Sequence, residues 1–243
     1  MEATDSMQAG VGLVGRIVRV FYAPAETFEA VQRGHTRMDW VIPILLVAIV
    51  GLGSTYMTQP LVQKMQTKAM SEMAAAQDMT PEQVAQQREM MKKVSGVTQT
   101  ATLVMVPVMT FVMAFIFAGV LLLIGRFGLG GSISYGQMLS LQAYTMLITV
   151  PQNIVLTPIR QARESILITL GPGLLLDKEM LATYTGRVIN GIDVFMIWQV
   201  VVTGIGLAIL SRAGLGKTLG ILFAIWVLYL AAAGAMAGLM PGM

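Results

Sequence analysis

Among the residues of this chain able to do chemistry, Asp193 stands in the most demanding place. It lies in the apolar run NGIDVFMIWQVVVTGIGLAILS (190–211), where a carboxylate on a lipid-facing surface would cost up to about 2.5–3.5 kcal/mol at mid-depth and less near the rim. Such a group must face protein or water. Its chemistry would be that of an ion or proton relay, a solute contact, or a helix-starting acid bonded to a neighbouring element. If residues 188–210 form one helix bracketed by Arg187 and Arg212, Asp193 sits about 9 Å inside Arg187. On that helix Asn190, Asp193 and Gly204 share one polar-to-small stripe suited to close packing. Gln142, Gln152 and Asn153, the polar residues of another apolar stretch, are candidates to stand opposite it for the relay role, and Arg160, Arg163 and Arg187 are candidate ion-pair partners for the structural one.

Other arrangements that could carry chemistry fail on their spacing. The single histidine, His35, has no second imidazole, and the chain has no cysteine, so neither a metal-ligand cluster nor a thiol nucleophile can be assembled. SRAGLGKT (211–218) ends like a phosphate-binding loop, but Ser211 stands where the first glycine belongs and the stretch joins two apolar runs rather than a strand and a helix. RFGLGG (126–131) lacks the full glycine spacing of a dinucleotide site and reads as a turn. The 20 methionines, including Met70, Met73, Met90 and Met91, suit adaptable packing better than a soft-metal site. No catalytic, cofactor-binding or metal residue is expected, and the chain does not read as an enzyme.

The elements that must hold these residues are set by composition. With 55% hydrophobic residues, 12% charged residues and a mean hydropathy of +0.70, the 243-residue chain exceeds the norm for a soluble domain. It reads as an all-α, polytopic membrane protein with about five spans: 40–57, 101–124, 137–158, 188–210 and 219–239. The third is the weakest, because Gln142, Pro151, Gln152 and Asn153 require a protein-facing environment. The run 165–176 is short and broken by Gly171, Pro172 and Gly173, so it is expected to be interfacial or re-entrant, with a sixth span as the alternative.

Outside the spans, residues 1–39 form a cytoplasmic segment without the features of a cleaved signal, since Glu2 and Asp5 stand where basic residues belong. Within it, VGLVGRIVRVFY (11–22) gives an amphipathic surface helix whose apolar face is Leu13, Val14, Ile17, Val18 and Phe21, with Arg16 and Arg19 as membrane-surface contacts. Pro24, Glu26 and Arg33 mark a second helix. Residues 60–98 form an extramembrane Met/Gln-rich helical hairpin, whose second arm starts at the capping box TPEQ (80–83).

Arg33, Arg37, Arg126, Arg212 and Lys217 flank span ends on one side and place the N-terminus inside, with the C-terminus opposite. The net charge of +3 suits anionic headgroups, so the expected partners are membrane lipids and a protein partner or second copy, not nucleic acid. Gly234 and Gly238 supply a small-xxx-small spacing on the last span.

RIVRVFYAPAETFEAVQR (16–33), followed by a span containing WVIPILL, resembles the opening of bacterial members of the Yip family, named for Ypt-interacting proteins. IDVFMIWQVVVTGIGLAILSRAGLGKTLGILFAIWVLYL (192–230) is similar to that family's closing two spans, with Asp193, Phe195 and Trp198 as motif positions. The resemblance implies a five-helix membrane domain over 40–243, an N-terminal segment in the cytoplasm of a bacterial inner membrane, and no catalytic residues. Eukaryotic relatives are linked to Rab-type GTPases; a resemblance to bacterial members does not transfer that role. The function expected is a non-enzymatic scaffold or accessory subunit. The alternative is a small transporter, channel or lipid-handling protein built on Asp193 and the polar third span.

Overall fold

The computed structural model describes residues 12–77, 79–166 and 168–239. It opens with α1 (Leu13–Arg19) and α2 (Pro24–Arg33), the latter started by Pro24 with Glu26 in its first turn and Arg33 in its last. Both are bound into the bundle. Thr27, Phe28, Ala30 and Val31 of α2 are buried, and Leu13, Ile17 and Phe21 pack on the core. Only Val14, Val18 and Tyr22 remain exposed, so the apolar face expected on α1 is divided between protein and outside.

α3 (Met38–Ala76) and α4 (Pro81–Leu123) are single helices of 39 and 43 residues, about 58 and 65 Å long. The helical stretch expected over 60–98 is formed by the distal part of α3 and the start of α4, which runs on past Gly96 into the apolar run. Each arm is continuous with a span, because the polarity change at a bilayer edge ends an apolar run without ending a helix. Pro60 lies inside α3 and the Thr80–Gln83 capping box starts α4 as its sequence indicates. Leu61, Met70 and Ala74 are buried within the hairpin, while Met73 and Met90 are exposed. The side chain of Met91 lies outside the described residues.

A π-helical turn (Ile124–Gly128) closes α4, and Arg126 folds back to donate from Nε and Nη2 to the Ile133 carbonyl at 3.1 and 2.8 Å. α5 (Tyr135–Met146) begins at a second capping box, Ser134 with Gln137. The expected single helix over 137–158 is broken: α6 (Thr149–Ala162) starts anew after Leu147 and Ile148. Pro151 has no N–H for the Leu147 carbonyl, and it is tolerated only because it falls in the first turn of α6.

The 165–176 run contains a 3-10 turn (Pro172–Leu175) and is followed by α7 (Lys178–Ala182) and α8 (Tyr184–Asn190). α9 (Val194–Ser211) and α10 (Leu215–Leu239) complete the chain. The helix expected over 188–210 is thus two helices, interrupted at 191–193.

Among the described residues, four helices are long and apolar enough to cross a membrane: Met38–Ala75, Ala101–Gly128, Val194–Ser211 and Leu215–Met236. Their outward faces are apolar; Val104, Val108, Ile116 and Val120 of α4 and Val227 and Leu228 of α10 are all exposed. The core lies where α2, α3, α4, α5 and α9 meet and contains Phe28, Ile44, Ala118, Met138, Leu141, Tyr144, Val202 and Leu207. α5 packs on α3, α4 and α9, and α10 packs on α9 and α8.

The α5–α6 pair runs parallel to α3. Along α3, Asp39 meets Tyr144, Ser54 meets Thr157, Met57 meets Gln161 and Lys64 meets Glu164. Between Asp39 and Met57 this shared path covers about 27 Å.

Candidate functional site

Asp193 is the N-cap of α9, extended at φ −120° and ψ 139°, and it is 2% exposed. Its Oδ1 accepts from the N–H groups of Phe195 at 2.8 Å and Met196 at 3.4 Å. The same oxygen meets Gln152 Nε2 at 3.5 Å, while Oδ2 accepts from the Leu170 N–H at 2.8 Å. The Leu170 carbonyl in return accepts from the Val194 N–H at 2.9 Å. One carboxylate therefore starts a helix, secures a loop and touches α6. Ion pairs with Arg160, Arg163 or Arg187 are not what engages it.

The surrounding backbones approach closely. A Cβ on Gly171 would lie 1.8 Å from the Ile192 carbonyl oxygen, and one on Gly173 would lie 2.2 Å from Asn190 Oδ1. Asn190 stands at the end of α8 rather than on the α9 stripe, and its carbonyl and Oδ1 accept from Thr169 Oγ1 at 2.9 and 3.2 Å. The Asn190–Asp193–Gly204 stripe expected on one helix is corrected accordingly: the break at 191–193 moves Asn190 to another element.

The remaining expected residues divide. Gln152 reaches Asp193, but Asn153 donates to the Thr149 carbonyl of its own helix at 2.8 Å. Gln142, 8% exposed, faces a cleft with Gln199 and Thr203. Trp198 packs edge-on against Phe21 at 6.0 Å and tilted against Phe195 at 6.3 Å, joining the chain's opening to its closing pair of helices. Gly204 admits Leu219 of α10, whose Cδ2 would lie 2.4 Å from an added Cβ. Gly234 admits Val188 and Tyr184 of α8, so that small residue is used inside the chain.

A second buried carboxylate emerges from the fold. Asp39, 2% exposed, accepts at Oδ1 from Arg16 Nη1 at 2.8 Å and from the Tyr144 hydroxyl at 2.6 Å. Its Oδ2 accepts from the Thr36 N–H at 2.7 Å and Oγ1 at 3.1 Å. Arg16 also donates to the Gly34 carbonyl at 3.2 Å. Its side chain is 16% exposed, so Arg16 turns into the protein instead of presenting its guanidinium to the membrane surface. The pattern Thr36-x-x-Asp39 just before an apolar run is a capping-box signal that would have marked this acid. Arg19 stays exposed and pairs with Glu26.

Farther along, Lys64 pairs with Glu164, and that hydrogen bond with its attendant charge holds the Glu164 carboxyl below its ordinary value. The Tyr135 hydroxyl donates to the Phe115 carbonyl at 2.9 Å. Among the described residues no three His, Cys, Asp or Glu side chains come together to hold a metal ion. Both buried carboxylates are engaged in joining elements.

Neither a curated protein nor a solved structure matches the chain. The Yip1 domain model matches residues 18–237, from the end of α1 almost to the end of α10, and the chain belongs to the Yip1 domain family.

Proposed function

We propose that this helical membrane protein of the Yip family is a non-enzymatic scaffold or accessory subunit that acts through helix packing and partner contacts. The observation that carries the reading is the use of its two buried carboxylates. Asp193 and Asp39 are 2% exposed and accept hydrogen bonds at both oxygens, so they hold elements together and leave no open oxygen for a permeant ion. This counts against a transport path through Asp193, although Gln152 does approach it as that reading required.

In this proposal residues 1–39 are the cytoplasmic segment and 40–243 the membrane domain, in a bacterial inner membrane. The α5–α6 pair is the third of five crossings. Two facts support it: Gly131 lies against Ser211, which brings the end of α4 level with the end of α9, and the chain must then traverse the bundle to reach Asp193. Val14, Val18 and Tyr22 contact lipid, with Arg19 beside them, and the distal α3–α4 hairpin is the docking face for a protein partner or second copy.

Native mass spectrometry of the protein in lipid nanodiscs tests the reading. A stoichiometric polypeptide partner or a discrete oligomer is the expected result. A retained solute that disappears in Asp193→Asn, with folding unchanged, would sink the proposal in favour of transport.

A further inference from the structure

The cleft that receives Gln142 has a chemistry unrelated to either buried carboxylate. It has a volume of about 450 Å³ and opens between α4 and α10, which are held apart by α5 and α9. Its lining includes Phe117 of α4, Gln142 of α5, Gln199 and Thr203 of α9, and Trp226 and Tyr229 of α10. No lining residue is charged. The volume falls in the range of small-molecule sites, where an apolar wall carries a few polar groups that fix orientation.

The polar groups are the informative ones. Trp226 Nε1 is buried and has no hydrogen-bond partner. The side-chain amides of Gln142 and Gln199 likewise have none among the described residues. Gln199 lies thirteen residues before Arg212, and Trp226 nine after Lys217, which puts them about 20 and 14 Å along their helices from the basic turn. At such positions between apolar helices, hydrocarbon offers no water to satisfy them.

We infer that this cleft binds an uncharged membrane lipid bearing a carbonyl oxygen, whose polar end hydrogen-bonds the Gln142 and Gln199 amides and the Trp226 indole N–H while its chain leaves past the apolar rim. An ordinary phospholipid headgroup does not fit, because it is charged and the lining offers it no counter-charge. A second copy's helix would bring no free backbone carbonyl to these donors, since its backbone groups are already satisfied internally. The outer rim is open to the bilayer: Phe117, Val120, Ile225 and Tyr229 are all exposed. This inference goes beyond the scaffold reading and does not depend on it, since lipid occupancy and partner binding have separate readouts.

Photolabelling tests it. The full chain in phospholipid nanodiscs would be irradiated with a monoacylglycerol carrying a diazirine in its acyl chain, and labelled positions mapped by mass spectrometry. Labelling should concentrate on the cleft-lining positions of α4, α9 and α10 and be displaced by unlabelled monoolein but not by the same concentration of oleate. Trp226→Phe should reduce it at least fivefold. Val120→Trp, which fills the exposed rim, should do the same with an unchanged melting temperature, and so covers the case in which the first variant misfolds. Labelling spread evenly over the outward faces of α4 and α10, undisplaced by monoolein, would overturn the inference. So would cross-linking of the cleft to a second copy.

Discussion

Replacing a single oxygen pair separates the duties of Asp193. Alanine removes the cap of α9, worth about 1 kcal/mol, and leaves the half-buried Leu170 N–H without its acceptor, a further cost of about 1 kcal/mol. Asparagine can still cap but has only one acceptor oxygen for the two sides of the site. Thermal unfolding in nanodiscs should therefore rank wild type above Asp193→Asn above Asp193→Ala, and equal midpoints would remove the structural role. Asp39 behaves differently because its partners are on α1 and α5. Arg16→Ala leaves a buried carboxylate without its cation, which costs about 3 kcal/mol. In a double-mutant cycle with Asp39→Asn the coupling should exceed about 1 kcal/mol; strict additivity would mean that the pair contributes nothing.

At the scale of elements, close approach is the property most open to test. A Cβ on Gly206 would lie 2.2 Å from Leu141 Cδ1 and 2.7 Å from the Phe28 ring, and both neighbours are fully buried. Gly206→Ala should lower stability by about 1–3 kcal/mol through overpacking. Gly220→Ala, with nothing within 4 Å, should not lower it and can raise it by up to about 1 kcal/mol through helix propensity.

The Lys64–Glu164 link between α3 and the end of α6 is pH-dependent with a definite sign. Because the folded-state value for Glu164 is depressed, its contribution is present above the ordinary carboxylate value of 4.5 and disappears as pH falls through the folded one. Lys64→Ala should lower the melting midpoint slightly at pH 7, and the difference from wild type should shrink as pH falls below 4.5.

These elements were legible to different degrees. The four long apolar helices and both N-terminal helices followed from run length and periodicity, and the Thr80 cap from its four-residue pattern. The break at 191–193 was legible only in part: Asp193 before an apolar run is a helix-start signal, but the α9 start also depends on Leu170, which is remote in sequence. Asp39 is marked locally only by the Thr36 pattern, since its other partners Arg16 and Tyr144 lie 23 and 105 residues away.

For the whole molecule, orientation is the outstanding physical quantity. On the proposed topology, five crossings with an internal N-terminus, the distal α3–α4 hairpin would stand on the outer side. Single cysteines introduced at exposed hairpin positions such as Gln63, Gln66 and Glu82 should react with an impermeant maleimide added outside intact cells. Labelling only after the inner face is opened would invert the topology. The parallel course of α5–α6 along α3 also imposes an order on biogenesis. A broken segment carrying Gln142, Gln152 and Asn153 partitions poorly into lipid alone, yet Ser54 meets Thr157 and Asp39 meets Tyr144 on a helix synthesised earlier. On the five-crossing proposal, α3 would act on the nascent chain as an intramolecular chaperone, and loss of its polar contacts should slow insertion of the α5–α6 segment.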